Sequence, residues 1–315
     1  MRLGRAASGV SQGRQRGSAR ELDSRARPTR AAWRILALVG VAELLGMSVW
    51  FTASAAGPDL RALWQLSSAQ VASLATAVQL GFVAGTAVAA LANIADLMPA
   101  RWYLVASALL AAAANLTLPW TQSFESALAG RFATGFFLAG VYPPAMKMVA
   151  TWFRAGRGVA IGTVVAALTI GKATPYLLES MPGRSVTTLA LATSAAAVAA
   201  ALLIGLGYRD GPYEFERRPF SWRLVHEVWR DRPTRLPIAR YLGHMCELYA
   251  MWSLVALFFA AAIGGATHAG AYGFAAIAAG GVGAVLAGVW ADRLGRERIA
   301  IASLAVSGVC SLVIG

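Results

Sequence analysis

Five ionisable residues lie inside long apolar runs: Glu43, Arg131, Lys172, His244 and Glu247. A charged group at the centre of a bilayer costs about 2.5–3.5 kcal/mol on insertion scales, so such residues usually bind, carry protons or pair. The two carboxylates recur in the same setting. Glu43-Leu44-x-x-Met47 matches Glu247-Leu248-x-x-Met251 at an offset of 204 residues. At helical spacing, Gly40, Glu43, Met47 and Trp50 share one face, and His244, Glu247 and Met251 share another. Lys172 and Arg131 are the cations available to answer them. A carboxylate shielded from water can take and release a proton near neutral pH. The set therefore reads as a proton- or substrate-binding group, with structural ion pairing between helices as the alternative.

Other chemistry finds little support. His226, His244 and His268 occupy separate segments, and neither His-x-x-His nor a phosphate-binding Gly-x-x-x-x-Gly-Lys-Ser/Thr loop occurs; the one Gly-x-Ser-x-Gly, Gly9 to Gly13, lies in the basic tail rather than between a strand and a helix. No enzyme, metal site or cofactor is expected. Cys246 and Cys310 sit in apolar runs and are expected as small core residues, with no disulfide framework.

The elements that must position these residues are membrane helices. The chain has 315 residues, of which 57% are apolar and only 14% charged. Soluble domains carry about 25% charged residues, so the solvent of this chain is mostly lipid. Eight apolar runs reach the roughly 20 residues a crossing needs: 33–56, 69–92, 102–120, 125–148, 158–180, 186–207, 239–263 and 269–291. A ninth runs from Ile299 to Gly315. Sorting the connections alternately places 23 of the 28 basic residues on the side of the N-terminus, with only Arg61 and Arg184 opposite. That bias predicts a cytoplasmic N-terminus. Residues 1–32 read as a basic, disordered cytoplasmic tail held near anionic lipid rather than nucleic acid. Between 208 and 238, Phe220, Leu224 and Val228 recur at helical spacing with Trp222, Val225 and Trp229 beside them. Such a helix lies in the headgroup region, and Pro233 and Pro237 are expected to end it. Pro143-Pro144 in the fourth span marks a kink, and Lys147 near its end is expected to snorkel.

The loop after the second span reads Asp96-Leu-Met-Pro-Ala-Arg101, and the loop after the eighth reads Gly288-Val-Trp-Ala-Asp292-Arg293-Leu-Gly295-Arg296-Glu-Arg298. Asp96 and Asp292 are 196 residues apart, as are Gly85 and Gly281. Two halves of the same orientation explain both echoes. The second loop closely resembles the cytoplasmic signature of the major facilitator superfamily, and Leu128-x-x-Arg131-x-x-x-Gly135 resembles that family's fourth-helix motif, with Thr134 where Gln is usual.

The resemblance implies an all-α membrane protein of the major facilitator type, a secondary transporter with alternating access. It implies a six-helix N-terminal bundle at 33–207, a cytoplasmic linker at 208–238, and an incomplete C-terminal bundle at 239–315, about nine of twelve transmembrane helices, so that the chain is expected to be a fragment. Asp96, Arg101, Gly288, Asp292, Arg293, Gly295, Arg296 and Arg298 would form the cytoplasmic gating latch. The first and seventh spans would place Glu43 and Glu247 at similar depth beside one cavity. The runs around Glu43 and Glu247 look like those of bacterial carriers loosely labelled nitrate- or cyanate-type permeases. The expected substrate is a small organic or inorganic anion moved with protons. Drug or metabolite efflux is the first alternative, and a non-transporting receptor or scaffold the second. The expected setting is a bacterial inner membrane, with a monomeric full-length protein and no nucleic-acid partner.

Overall fold

The computed structural model describes residues 27–213, 215, 220–263 and 268–314, all helix or connection with no strand among them. The first span is not one helix. α1 (Arg30–Met47) stops, residues 48–51 turn, and the path continues as α2 (Thr52–Ala55) and α3 (Gly57–Trp64). α4 (Ser68–Leu91), a short α5 (Ile94–Leu97) and α6 (Ala100–Leu116) follow. The fourth span divides into α7 (Phe124–Leu138) and α8 (Tyr142–Ala150). Pro143 and Pro144 fall in the first turn of α8, where a missing amide costs nothing, and they disfavour helix just before it. α9 (Arg157–Glu179), α10 (Val186–Gly207), α11 (Trp222–Arg230), α12 (Arg232–Ile263), α13 (Ala269–Leu294) and α14 (Arg296–Ile314) complete the chain. Among the described residues, six helices are long and apolar enough to cross a membrane: α4, α6 with the turn that follows it, α9, α10, α12 and α13.

Local sequence sets where several helices begin. Ser67 Oγ accepts from the Gln70 amide at 3.2 Å, and Gln70 Oε1 accepts from the Ser67 amide at 2.9 Å. The same reciprocal caps open α7 at Ser123 and Ser126 and α10 at Ser185 and Thr188. They satisfy amides that have no partner within the helix. The linker helix α11 forms as expected, but its end differs. Asp231 turns the chain, and its carboxylate accepts the Thr234 amide at 3.1 Å as the first cap of α12. Pro233 and Pro237 therefore lie inside α12 rather than terminating α11.

Small residues bring the helices together. A Cβ added at Gly81, Gly85 or Gly135 would strike the backbone of the facing helix in the α4–α7 pair. α9 and α13 run antiparallel with Gly158 against Gly288, Gly162 against Ala284, and Gly281 against Ala166 and Ile170. Gly171 of α9 meets the Leu44 carbonyl of α1. Close backbone approach is the usual way helices associate where lipid supplies no hydrophobic drive. The interior is built mainly by α1, α6, α8, α9 and α10. Cys246 and Cys310 are exposed rather than in the core. In lipid an apolar run can face outward at no cost, so apolarity alone does not mark a buried side.

The linker is tied to the first bundle. Trp152 Nε1 donates to the Arg209 carbonyl at 3.0 Å, the Tyr213 amide to the Thr151 carbonyl at 3.1 Å, and the Phe220 amide to Asn93 Oδ1 at 2.6 Å. α11 leaves Trp222, Leu224 and Trp229 exposed. The expected tail at 1–32 lies mostly outside the described residues, which begin at Arg27.

Candidate functional site

Two opposite charges lie fully inside the bundle. Glu43 of α1 is 0% exposed and Lys172 of α9 is 2% exposed. Neither Glu43 oxygen has a hydrogen-bond partner. Lys172 is the charge that acts on Glu43, and no ion pair within 4.0 Å joins them. The Lys172 ammonium instead occupies an aromatic cage. Its Nζ stands 3.5 Å from the Trp50 ring centroid, 4.8 Å from Tyr249 and 5.4 Å from Trp252. It also donates to Tyr249 Oη at 2.8 Å. The rings hold one another, with Trp50 stacked on Tyr249 at 5.7 Å and Tyr249 edge-on to Trp252 at 5.7 Å. A desolvated cation over an aromatic face gains about 2 kcal/mol or more, which offsets part of the cost of burying it. The cage joins the turn after α1 with α9 and α12, so it links the first bundle to the helix that follows the linker.

Arg131 does different work. It is buried on α7, donating to Asn115 Oδ1 at 2.6 Å and to the Val49 and Trp50 carbonyls at 2.8 and 2.9 Å. Those two carbonyls are freed by the break after α1. The guanidinium fork therefore holds the broken end of α1, and Arg131 is not the counter-charge of Glu43 that was expected. Asn115 extends the network through Thr193 Oγ1 at 3.0 Å and Ser194 Oγ at 2.9 Å, and Thr193 reaches Thr52 at 3.2 Å. Sequence reasoning missed Asn115 and Thr193, although an asparagine inside an apolar run was a signal.

The second carboxylate takes another place. Glu247 is 47% exposed and accepts from Ser307 at 2.9 Å and Ser311 at 3.3 Å on α14. His244 Nδ1 lies 4.0 Å from it. The two carboxylates thus differ in setting: Glu43 is sealed in the first bundle, whereas Glu247 lies along α12 toward α14.

Each signature loop packs on a helix end of the bundle; the end at which Asp292 lies is called the near end. Asp292 Oδ1 accepts the Gly158 amide at 3.0 Å and Oδ2 the Val159 amide at 3.1 Å. These are first-turn amides of α9. That helix starts at Gly156, whose φ of 67° suits glycine and which offers no capping side chain. Asp292 thus caps α9 from across the helix pair, adding a negative charge where the helix dipole favours it. Arg293, Arg296 and Arg298 are exposed and form no ion pair among the described residues, so the contact between this loop and α9 runs through backbone amides rather than guanidinium groups. Gly295 turns the chain between α13 and α14 at φ 94°. In the first loop, Lys147 lies 4.0 Å from Asp96 and donates to the Ala95 carbonyl at 2.6 Å, so it joins that loop instead of snorkelling freely. Arg101 turns to the Gly205 carbonyl and the Trp102 ring rather than to Asp96.

An open cleft of about 620 Å³ around Thr117, Trp120 and Ser126 and a cavity of about 270 Å³ between Tyr103, Pro143 and Lys147 both lie away from the cage.

Membrane-length helices packed through glycines around buried charges define an integral, multi-pass membrane protein. Residues 38–315 match the model of the Major Facilitator Superfamily, and the chain belongs to that family of secondary transporters. A search of curated proteins gives no match.

Proposed function

We propose that the chain works by proton-coupled alternating access, with Glu43 and Lys172 as its proton- and substrate-handling pair. The observation that carries this reading is the burial of two mutually acting opposite charges where three helices meet. A desolvated site tolerates little net charge. Glu43 ionised and Lys172 protonated together sum to zero. An entering monoanion beside Lys172 keeps that balance only if one proton arrives on Glu43. A small anion with one proton is therefore the favoured cargo. Arg131 is committed to carbonyl groups, which leaves Lys172 as the anion-facing cation. His244 and Glu247 would serve the same path from α12, at its more open side.

In this reading the near end is cytoplasmic, and Asp292 closes it by capping α9. Asp96 with Lys147 is the corresponding element of the first half. The basic tail and α11, with its exposed tryptophans and neighbouring arginines, lie against anionic lipid. The aromatic cage favours a second reading, efflux of an organic cation that would displace Lys172 from the rings.

The test uses the full-length protein in proteoliposomes containing a pH-sensitive dye. Inward gradients of nitrate, cyanate and small carboxylates are applied, with protein-free vesicles as baseline. Acidification of the lumen above baseline with at least one anion supports the proposal. Proton movement with lipophilic cations and none of the anions would favour efflux.

A further inference from the structure

The α9–α13 pair is built alike at its two ends. At the near end, Gly158 in the first turn of α9 lies against the Gly288 carbonyl and the Asp292 carboxylate of α13. At the far end, Gly270 in the first turn of α13 lies against the Tyr176 carbonyl and the Glu179 carboxylate of α9. A Cβ at either glycine would strike both groups. Both helices also begin without a cap of their own: Gly156 and His268 each make no side-chain capping bond. The ends differ in one respect. Asp292 accepts two first-turn amides of α9, whereas no first-turn amide of α13 donates to Glu179 among the described residues. Glu179 is paired with Arg184 instead.

We propose that Glu179 is the far-end counterpart of Asp292: when Arg184 releases it, its carboxylate accepts the Gly270 and Ala271 amides and closes that end of the pair. Glu179 is mostly buried beside the helix start it would cap, so a change of partner needs side-chain rotation rather than helix movement. Arg184 is the more exposed partner and the one free to leave. The two ends would then hold in turn, near end by Asp292 and far end by Glu179. This rests on the alternating-access reading above, but its test requires no transport.

Amide hydrogen exchange is followed by mass spectrometry in the full chain in detergent, as wild type, Arg184→Gln and Glu179→Gln. A static ion pair broken from either side loosens the far end in both variants. A latch gives opposite signs. Arg184→Gln frees the carboxylate, and exchange at Gly270 and Ala271 should slow about tenfold, the factor that corresponds to gaining a charge-assisted hydrogen bond. Glu179→Gln should leave those amides as fast as wild type or faster. Should Glu179→Gln not fold, Glu179→Asp, too short to reach both amides, replaces it with the same expected sign. Equal signs in the two variants, or no change in Arg184→Gln, would overturn the latch and leave the transport reading untouched. Failure of proton transport with opposite exchange signs would do the reverse.

Discussion

Removing both members of the buried pair should harm the protein less than the sum of removing each alone. Glu43 and Lys172 are each almost fully buried, and each acts on the other across the interior without direct contact. Exposed pairs are worth under about 1 kcal/mol and hydrogen-bonded buried pairs about 3–5 when broken from one side. A pair beyond contact distance falls between, near 2 kcal/mol. Lys172→Met keeps the cage filled with a chain of similar length but strands Glu43 without a counter-charge. Glu43→Gln strands the ammonium, although the three rings and Tyr249 still hold it. For a chain of this length about 2 kcal/mol shifts Tm by roughly 3 °C. The double variant Glu43→Gln/Lys172→Met should lose clearly less than the sum of the single losses, by about that amount. The assay is intrinsic fluorescence on heating in detergent, read as the midpoint of global unfolding from the chain's ten tryptophans. Additivity within about 0.5 kcal/mol would refute the coupling, since that is the spread expected of independent sites.

Asp292→Ala should release the start of α9. A lost cap with its dipole term at an exposed site is worth about 1–2 kcal/mol, a five- to thirtyfold shift toward an open near end. Spin labels at Arg154 and Leu294 read it as a longer, broader distance distribution. Gly171→Ala and Gly288→Ala force a Cβ into facing backbone and should each cost about 1–3 kcal/mol, whereas Gly280→Ala, with open space around it, should be near neutral by the same melting assay. Arg131→Lys should destabilise nearly as much as Arg131→Met, because a single ammonium cannot span Asn115 and two carbonyl groups, and added guanidinium should not be mimicked by added ammonium in rescue.

The length of an apolar run was enough to read helix existence, and the loop signature was enough to read the family. The breaks were harder. Pro143 and Pro144 announce the division of the fourth span, but Ser48–Phe51 holds neither Gly nor Pro. That turn is held by Arg131, 81 residues away from Trp50, a contact no local pattern carries. Glu43 and Lys172 were visible as charges in apolar runs, yet the rings around Lys172 come from the turn after α1 and from α12 and were visible only as scattered aromatics. Glu247 shows the limit of the internal repeat: matched spacing places a residue on a helix, while the neighbours that helix meets decide its burial. Asp292 was legible as a helix-end carboxylate, and Gly156 in place of a capping residue was the unread half of that signal.

The central claim is that Glu43 carries the coupled proton. Glu43→Gln in proteoliposomes, compared with wild type under the anion gradient that acidifies the wild-type lumen, tests it most directly. The account predicts that proton movement falls to the protein-free baseline while the variant remains monodisperse in detergent. Wild-type proton movement through Glu43→Gln would contradict it and leave the buried pair a structural tie between helices.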